Sequence, residues 1–272
     1  VGAYTAIQFI ESLVATQERL SRTQEKQSNL TVFGILAASF CIGVNSVWVM
    51  HFINTSAVRH GVKVEYNLAE TLLSLVFILL CAFVGISIAA CHKDGLLGPP
   101  KASTYHLTRL RMPAPGASIV QHLSFMLEQV QDAVGWRLAL GGTILGAGVG
   151  AMHYTGVNAI RANLELYMDP VWMLTSVPIA AVGGMAIIWL MFHMHGFVKR
   201  CIAAVILGIA VSFVHFYAYF AGTYSALPRD RWDPDAFAKE VLVEAEPAVV
   251  AATLLSSVFR FLFLGIISAG AE

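Results

Sequence analysis

Long apolar stretches alternate with short polar ones along this chain, and the apolar ones have the length of a bilayer crossing. A helix of about 20 apolar residues spans roughly 30 Å of hydrocarbon. Windows of that kind fall near residues 30–54, 69–91, 136–160, 170–194, 201–223 and 247–269. Each far exceeds the length of a strand, so six transmembrane helices are predicted. The stretch Val1 to Ala15 is too short to span and carries Glu11, yet it reads as the end of a further helix. It lacks the basic start and the cleavage site of a secretory signal. The pattern therefore predicts an all-α, polytopic transmembrane helical bundle of seven helices with the first truncated. The helices pair as three parallel helix-hairpin repeats plus a last helix.

Composition strengthens this reading. Hydrophobic residues make up 57% of the chain, charged residues only 12%, and the mean hydropathy is +0.68. A net charge of zero and the lack of a dense basic run give no footprint for nucleic acid. The placement of charge says more than its sum. Arg19, Arg22, Lys26, Lys93, Lys101, Arg109, Arg111, Arg137, Lys199 and Arg200 fall at one set of helix ends. Fewer basic residues, Arg59, Lys63, Arg161, Arg229, Arg231 and Lys239, fall at the other. The richer side is cytoplasmic by the positive-inside rule, so the C-terminus is expected in the cytoplasm. Arg260 remains inside the last span, where pairing with Glu11 or snorkelling is expected.

The linkers carry less information. Gly98-Pro99-Pro100 and Pro113-Ala114-Pro115 mark a loop, and Ser118 to Val134 has the spacing of an interfacial amphipathic helix. Residues 225–246 form an acidic extracytoplasmic loop, expected to be a solvated face. Cys41, Cys81, Cys91 and Cys201 lack a paired spacing and read as structural thiols. Gly142, Gly146 and Gly150 form a small-residue stripe expected to serve close helix packing.

Candidate chemistry lies at three helix ends. Val49-Met50-His51-Phe52, Ala151-Met152-His153-Tyr154-Thr155-Gly156 and Phe213-Val214-His215-Phe216-Tyr217 each place a histidine beside aromatics where an apolar run closes. All three helices run outward by the charge bias, so His51, His153 and His215 share one level near the outer face. Ionisable side chains are costly in hydrocarbon, and three at equivalent positions point to one shared site. The bland alternative is hydrogen bonding between helices. His60, His92, His106, His122, His193 and His195 belong to loops or inner ends. Trp48, Phe52, Tyr154, Phe216 and Tyr217 read as interfacial aromatics by default, and Asn45 and Asn158 as groups that could orient imidazoles.

The tetrapeptide Met152-His153-Tyr154-Thr155 resembles the MHYT integral-membrane sensor domain family. So do Ala3-Tyr4-Thr5-Ala6, Trp48-Val49-Met50-His51-Phe52 and Val64-Glu65-Tyr66-Asn67, in order and spacing. The resemblance covers residues 1–224, taken as the membrane domain, followed by the acidic loop and a final helix at 247–269. It implies a signal-transducing sensor of the plasma membrane that binds copper and senses oxygen, CO, NO or redox state. On that basis His51, His153 and His215 are candidate nitrogen ligands and Met50 and Met152 candidate sulfur ligands. Imidazole and thioether together suit copper, and three histidines alone would also suit zinc.

The chain departs from the family's fuller pattern at Thr55, Val157 and Tyr219, where a second methionine would share the histidine's helix face. The third copy, with Val214 before its histidine, is the most degenerate and the first expected to leave the site. No catalytic role is expected. A zinc-dependent membrane hydrolase needs a carboxylate beside the motifs, and a haem carrier needs opposed histidine pairs. A structural or accessory subunit of a larger membrane complex is the main alternative. No kinase, cyclase or phosphodiesterase segment follows up to Glu272, so the expected partners are the lipid bilayer, the metal and a cytoplasmic or membrane signalling protein.

Overall fold

The computed structural model describes residues 2–23, 30–58, 63–92, 95–96, 135–194, 196–228, 231 and 237–244, with separate positions between 249 and 262. The proposed amphipathic helix at 118–134, part of the acidic loop and most of the last span, Arg260 included, lie outside these residues.

The bundle is built from α1 (Gly2–Thr23), α2 (Leu30–Phe40), a π-helical segment (Cys41–Trp48), α3 (Val49–Ser56), α4 (Leu68–Ala90), α5 (Trp136–Asn158), α6 (Pro170–His193) and α7 (Phe197–Tyr219). Among the described residues, four stretches are both long and apolar enough to cross a membrane: Val32–Ser56, α4, α6 and α7. The predicted fifth span near 201–223 is shifted toward the N-terminus, because Lys199 and Arg200 belong to the first turn of α7.

Helix starts follow local chemistry. The Asn67 side chain accepts from the backbone N–H of Glu70 at 3.0 Å to cap α4. Asp169 accepts from the Val171 N–H at 2.8 Å to cap α6, with Pro170 at the first helical position. Gly196 adopts φ +86°, which lets the chain reverse directly from α6 into α7.

α1 extends further than the hydropathy suggested. Its 22 residues would reach about 33 Å, the length of a crossing. A Cβ on Gly2 would press on Cys41, Asn45 and Ser46, so α1 begins at the depth of the π-helical segment. Glu11 pairs with Arg200 at 3.1 Å and accepts from the Gly196 N–H. The partner expected for Glu11, Arg260, is thus replaced by the basic start of α7.

α5 packs closely between α4 and α6. Its glycines bring the backbone against α4 at Gly85 and Cys81 and against α6 at Ala180 and Met185. Without a hydrophobic drive between helices in lipid, such close approach maximises dispersion contacts. Gly142 and Gly146 have the packing role read from the sequence, whereas a Cβ at Gly150 would meet nothing within 4 Å.

At the end where α3, α5 and α7 finish, the connections pair with one another as strands. β1 (Glu65–Asn67) lies between β4 (Ile160–Arg161) and β7 (Leu242–Glu244), and β5 (Leu164–Met168) pairs antiparallel with β6 (Gly222–Ala226). A separate short hairpin, β2 (Cys91–His92) with β3 (Gly95–Leu96), follows α4. The capping sheets were not anticipated, since each strand is too short to show a period of two.

Ionic contacts fasten this cap. Arg161 donates through Nε to Glu240 at 2.6 Å and through Nη2 to Glu70 at 3.1 Å, while Asn67 donates to the same Glu240 oxygen at 2.7 Å. These bonds from Asn67 and Arg161 hold the Glu240 carboxyl below the usual carboxylate range. Lys63 bridges Glu65 and Glu244 at 2.9 and 2.8 Å. The described part of the acidic loop is therefore tied to the cap, not a freely solvated face.

Candidate metal centre

Three helices each deliver one histidine to a common point. His51 comes from α3, His153 from α5 and His215 from α7, and all are buried, at 1%, 3% and 5% exposure. One ligand-capable nitrogen from each lies within 4.8 Å of the others. The ring centroids are 5.0 Å apart for His51–His153 and His51–His215, and 5.1 Å for His153–His215. His51 Nδ1 and His215 Nδ1 are 3.1 Å apart and share a hydrogen bond. Nε2 of His51 and Nε2 of His215 are buried with no hydrogen-bond partner, and the buried His153 ring bonds no side chain and faces the Ala218 backbone. Buried polar nitrogens without partners are rare and call for an explanation.

The third copy, read as the one most ready to leave, is fully part of the cluster. What holds it is helix placement: α7 turns His215 inward beside His51 whether or not a methionine precedes it.

Local structure explains how each imidazole is aimed. The π-helical segment ends at Trp48, three residues before His51, and its wider turn re-phases α3 relative to a straight α-helix. The Ser46 hydroxyl donates to the Cys41 carbonyl five residues back, at 3.1 Å, matching the π repeat. Trp48 Nε1 donates to Ser74 of α4 at 3.0 Å, which fixes the rotation of this helix. Gly156, one turn beyond His153, gives His51 its room, since a Cβ there would lie 2.5 Å from His51 Nε2.

Met50 and Met152 line the same small cavity as the three histidines. Its volume is about 20 Å³, enough for one water-sized occupant. Asn54 donates to Met50 Sδ at 2.6 Å. The positions of the family's second methionine serve packing. Thr55 donates to the His51 carbonyl at 2.8 Å, Val157 is buried at 3% exposure, and Tyr219 stacks on Tyr224.

The aromatics divide into two roles. Phe52 is 4% exposed and meets His51 edge-on at 4.9 Å, Trp48 at 5.0 Å and Tyr66 of β1 at 5.1 Å, so it belongs to the interior and not to an interfacial belt. Phe52, Tyr66 and Ala159 form a small apolar cluster of their own beside the histidines. Burial pushes the Tyr66 phenol up to about 12. Tyr154 hydrogen-bonds Ser176 of α6 at 2.6 Å.

Neither asparagine orients an imidazole. Asn45 faces the start of α1 with its amide atoms unbonded, and the Asn158 carbonyl accepts from Arg161. His193, placed outside the site by the sequence, bonds the Trp189 carbonyl within its own helix. Among the described residues, Cys41, Cys81 and Cys201 form no disulfide.

Comparison with known proteins gives this geometry a setting. The chain matches the MHYT family model, the bacterial signalling protein N-terminal repeat, over residues 45–98 and 146–204. It is 27% identical over 189 residues to the bifunctional diguanylate cyclase/cyclic di-GMP phosphodiesterase MucR of Pseudomonas aeruginosa, covering 67% of this chain and 22% of that protein. It is 22% identical over 197 residues to the signaling protein YkoW of Bacillus subtilis, covering 70% of this chain and 20% of that protein. The chain thus spans about a fifth of the length of these relatives. No solved structure matches it. With its membrane-crossing helices, this integral membrane chain carries two segments, one around His51 and one around His153, that match the MHYT repeat of bacterial signalling proteins.

Proposed function

We propose that His51, His153 and His215 hold one transition-metal ion and that the chain is the input module of a membrane signalling system. The observation that carries this reading is the convergence of three buried imidazoles from three helices, with ring nitrogens that lack partners. The spacing suits an ion. Two nitrogens bound at about 2.0–2.1 Å to a tetrahedral centre lie roughly 3.3–3.4 Å apart. The His51–His215 pair, at 3.1 Å, needs only a slight opening to match.

Copper is the ion this donor set favours, because Met50 and Met152 line the same cavity and soft donors select Cu(I). Zinc is the alternative for a site of imidazoles alone. When bound, the ion would supply a redox couple or an open position for oxygen, CO or NO. The protein's part is to exclude water and to couple α3, α5 and α7, so that a change at their junction alters helix packing at the other ends. The charge bias orients the histidines toward the extracytoplasmic side of the plasma membrane and the C-terminus toward the cytoplasm. MucR is a bifunctional diguanylate cyclase/cyclic di-GMP phosphodiesterase, and we assign this chain to sensing, with output through another segment or a partner.

Among the described residues lining the cavity there is no carboxylate, which argues against metal-activated hydrolysis. A second reading, a purely structural pin between helices, is favoured by the His51–His215 hydrogen bond but leaves His153 out. Metal analysis of purified wild type, His153→Ala and His215→Ala decides between them. Stoichiometric metal in the wild type and its loss in both variants is expected; equal metal content in all three overturns the shared site.

A further inference from the structure

We infer that small uncharged, lipid-soluble molecules reach the three histidines sideways from the hydrocarbon, through an opening between α5, α6 and α7 edged by Gly150. The inference rests on the sensing role proposed above and names the route and class of molecule that role would use. It concerns access, which is measurable in the metal-free protein.

The first support is the shape of the cavity. Its inner wall is buried, with Ser176 at 4%, Ala180 at 6% and Val211 at 5% exposure, and the histidines sit at its end. Four further lining residues are only half-buried, Met50 on α3 and Gly150, Tyr154 and Val214 on α5 and α7, the last three placing the mouth of the cavity between those helices. The surface beside them is made for lipid. Leu174 is 74% exposed, Val177 56% and Phe213 62%.

Gly150 itself is the second support. Gly142 and Gly146, on the same stripe, are filled by Met185 and Ala180, but a Cβ at Gly150 would meet nothing within 4 Å. The glycine serves no close helix contact. What it provides is open space at the mouth, leading toward His153, which is 3% exposed.

The aqueous side, by contrast, is closed. Phe52 and Tyr66 pack between His51 and the strands of the cap, while Tyr219 lies over His215 with its centroid at 6.2 Å and stacks on Tyr224. The chemistry of the opening then selects its traffic. No charged side chain lines the cavity among the described residues, and its two hydroxyls, Tyr154 and Ser176, bond each other. On the path ahead of the histidines nothing compensates a hydrated ion for lost water, whereas an uncharged molecule of one or two heavy atoms already dissolved in lipid loses nothing on entry. The volume, about 20 Å³, suits the same class.

The test uses the metal-free protein in lipid nanodiscs with isotope-labelled histidine, and compares two paramagnetic probes, dissolved oxygen and a water-soluble gadolinium chelate. Oxygen is expected to relax the ring signals of His153 and His215 several-fold more strongly than the chelate does. Gly150→Leu should cut the oxygen effect at these rings at least threefold while leaving it unchanged at lipid-facing Phe213. Tyr154→Ala, which widens the same mouth, should raise it, and so provides an independent reading if the leucine variant folds poorly. Equal relaxation by the chelate, or no response to either substitution, overturns the lateral route. Failure of the metal reading would show separately, as wild-type protein that takes up no copper or zinc.

Discussion

The Nδ1 atoms of His51 and His215 face each other at 3.1 Å, although the two residues are 164 positions apart. One must donate and the other accept, so the pair holds a single proton between two neutral rings. A metal ion held between them would need that proton to move to the donor ring's own Nε2, and would then join α3 to α7 directly. On the proposed reading, the contact that pins the two helices without metal would become a clamp with it.

If the clamp binds metal, the folded state gains stability by mass action. At a free metal concentration a hundredfold above Kd the gain is about 2.7 kcal/mol. Thermal unfolding in detergent should shift upward with added copper or zinc in the wild type and stay constant in His153→Ala. An equal shift in both would place the ion elsewhere.

Gly156→Ala isolates room at the site from stability of the helix. Alanine is intrinsically favoured over glycine by up to about 1 kcal/mol in a helix. Its Cβ, however, would sit 2.5 Å from His51 Nε2. The expected result is a protein at least as resistant to heating but with metal affinity reduced tenfold or more, read by competition with a chelating dye. Unaltered affinity would show that His51 does not need this space.

Met50→Leu and Met152→Leu separate the two candidate metals. If either thioether binds, Cu(I) affinity falls by about tenfold or more while Zn(II) affinity holds, since zinc takes nitrogen, oxygen and thiolate. Parallel titrations with the two ions provide the comparison. Loss of both affinities together would mark packing damage instead.

The cap should loosen in acid. The Glu240 carboxyl is held below its ordinary range by Asn67 and Arg161, so its contribution is complete above the unfolded carboxylate value. It is lost as pH falls through the lower, folded value. Hydrogen exchange at the Asn67 amide, which donates to the Ala159 carbonyl at 2.8 Å, should accelerate as pH drops below the usual carboxylate range, after correction for intrinsic rates. In Glu240→Gln the amide should exchange fast throughout, with no such step.

Rotation of α3 depends on the bond from Trp48 to Ser74. Ser74→Ala leaves a half-buried indole N–H without its partner, at a cost of about 1–3 kcal/mol. Metal affinity should fall with it, because His51 follows Trp48 by less than one turn. Measured metal affinity unchanged against a lowered melting temperature would mean that the π-helical segment holds His51 without this contact.

Most of the bundle was legible in the sequence because lipid imposes a simple rule, that the backbone must satisfy its own hydrogen bonds over the full hydrocarbon thickness. That rule marks Leu68–Ala90 or Pro170–His193 from apolar length alone. The same reasoning, with the charge bias, put three histidines at one level. It missed the full length of α1, whose polar final turns carry no apolar signal, and the cap, whose strands are two to five residues long and paired across remote segments.

Motif strength and site membership also came apart. By its letters the third copy was the weakest, and the matched repeats at 45–98 and 146–204 do not include His215. Hydropathy and motif pattern report what each helix presents to lipid or to its own neighbours. They do not report how one helix is rotated against another, and that rotation is set here by the π-helical segment at 41–48, by the glycine contacts of α5 and by the Trp48–Ser74 bond. The sequence alone therefore determined a membrane bundle with histidines at a shared depth. Only the tertiary structure decided that they meet, because a gap of a few ångströms between side chains on three helices depends on packing between segments far apart in the chain.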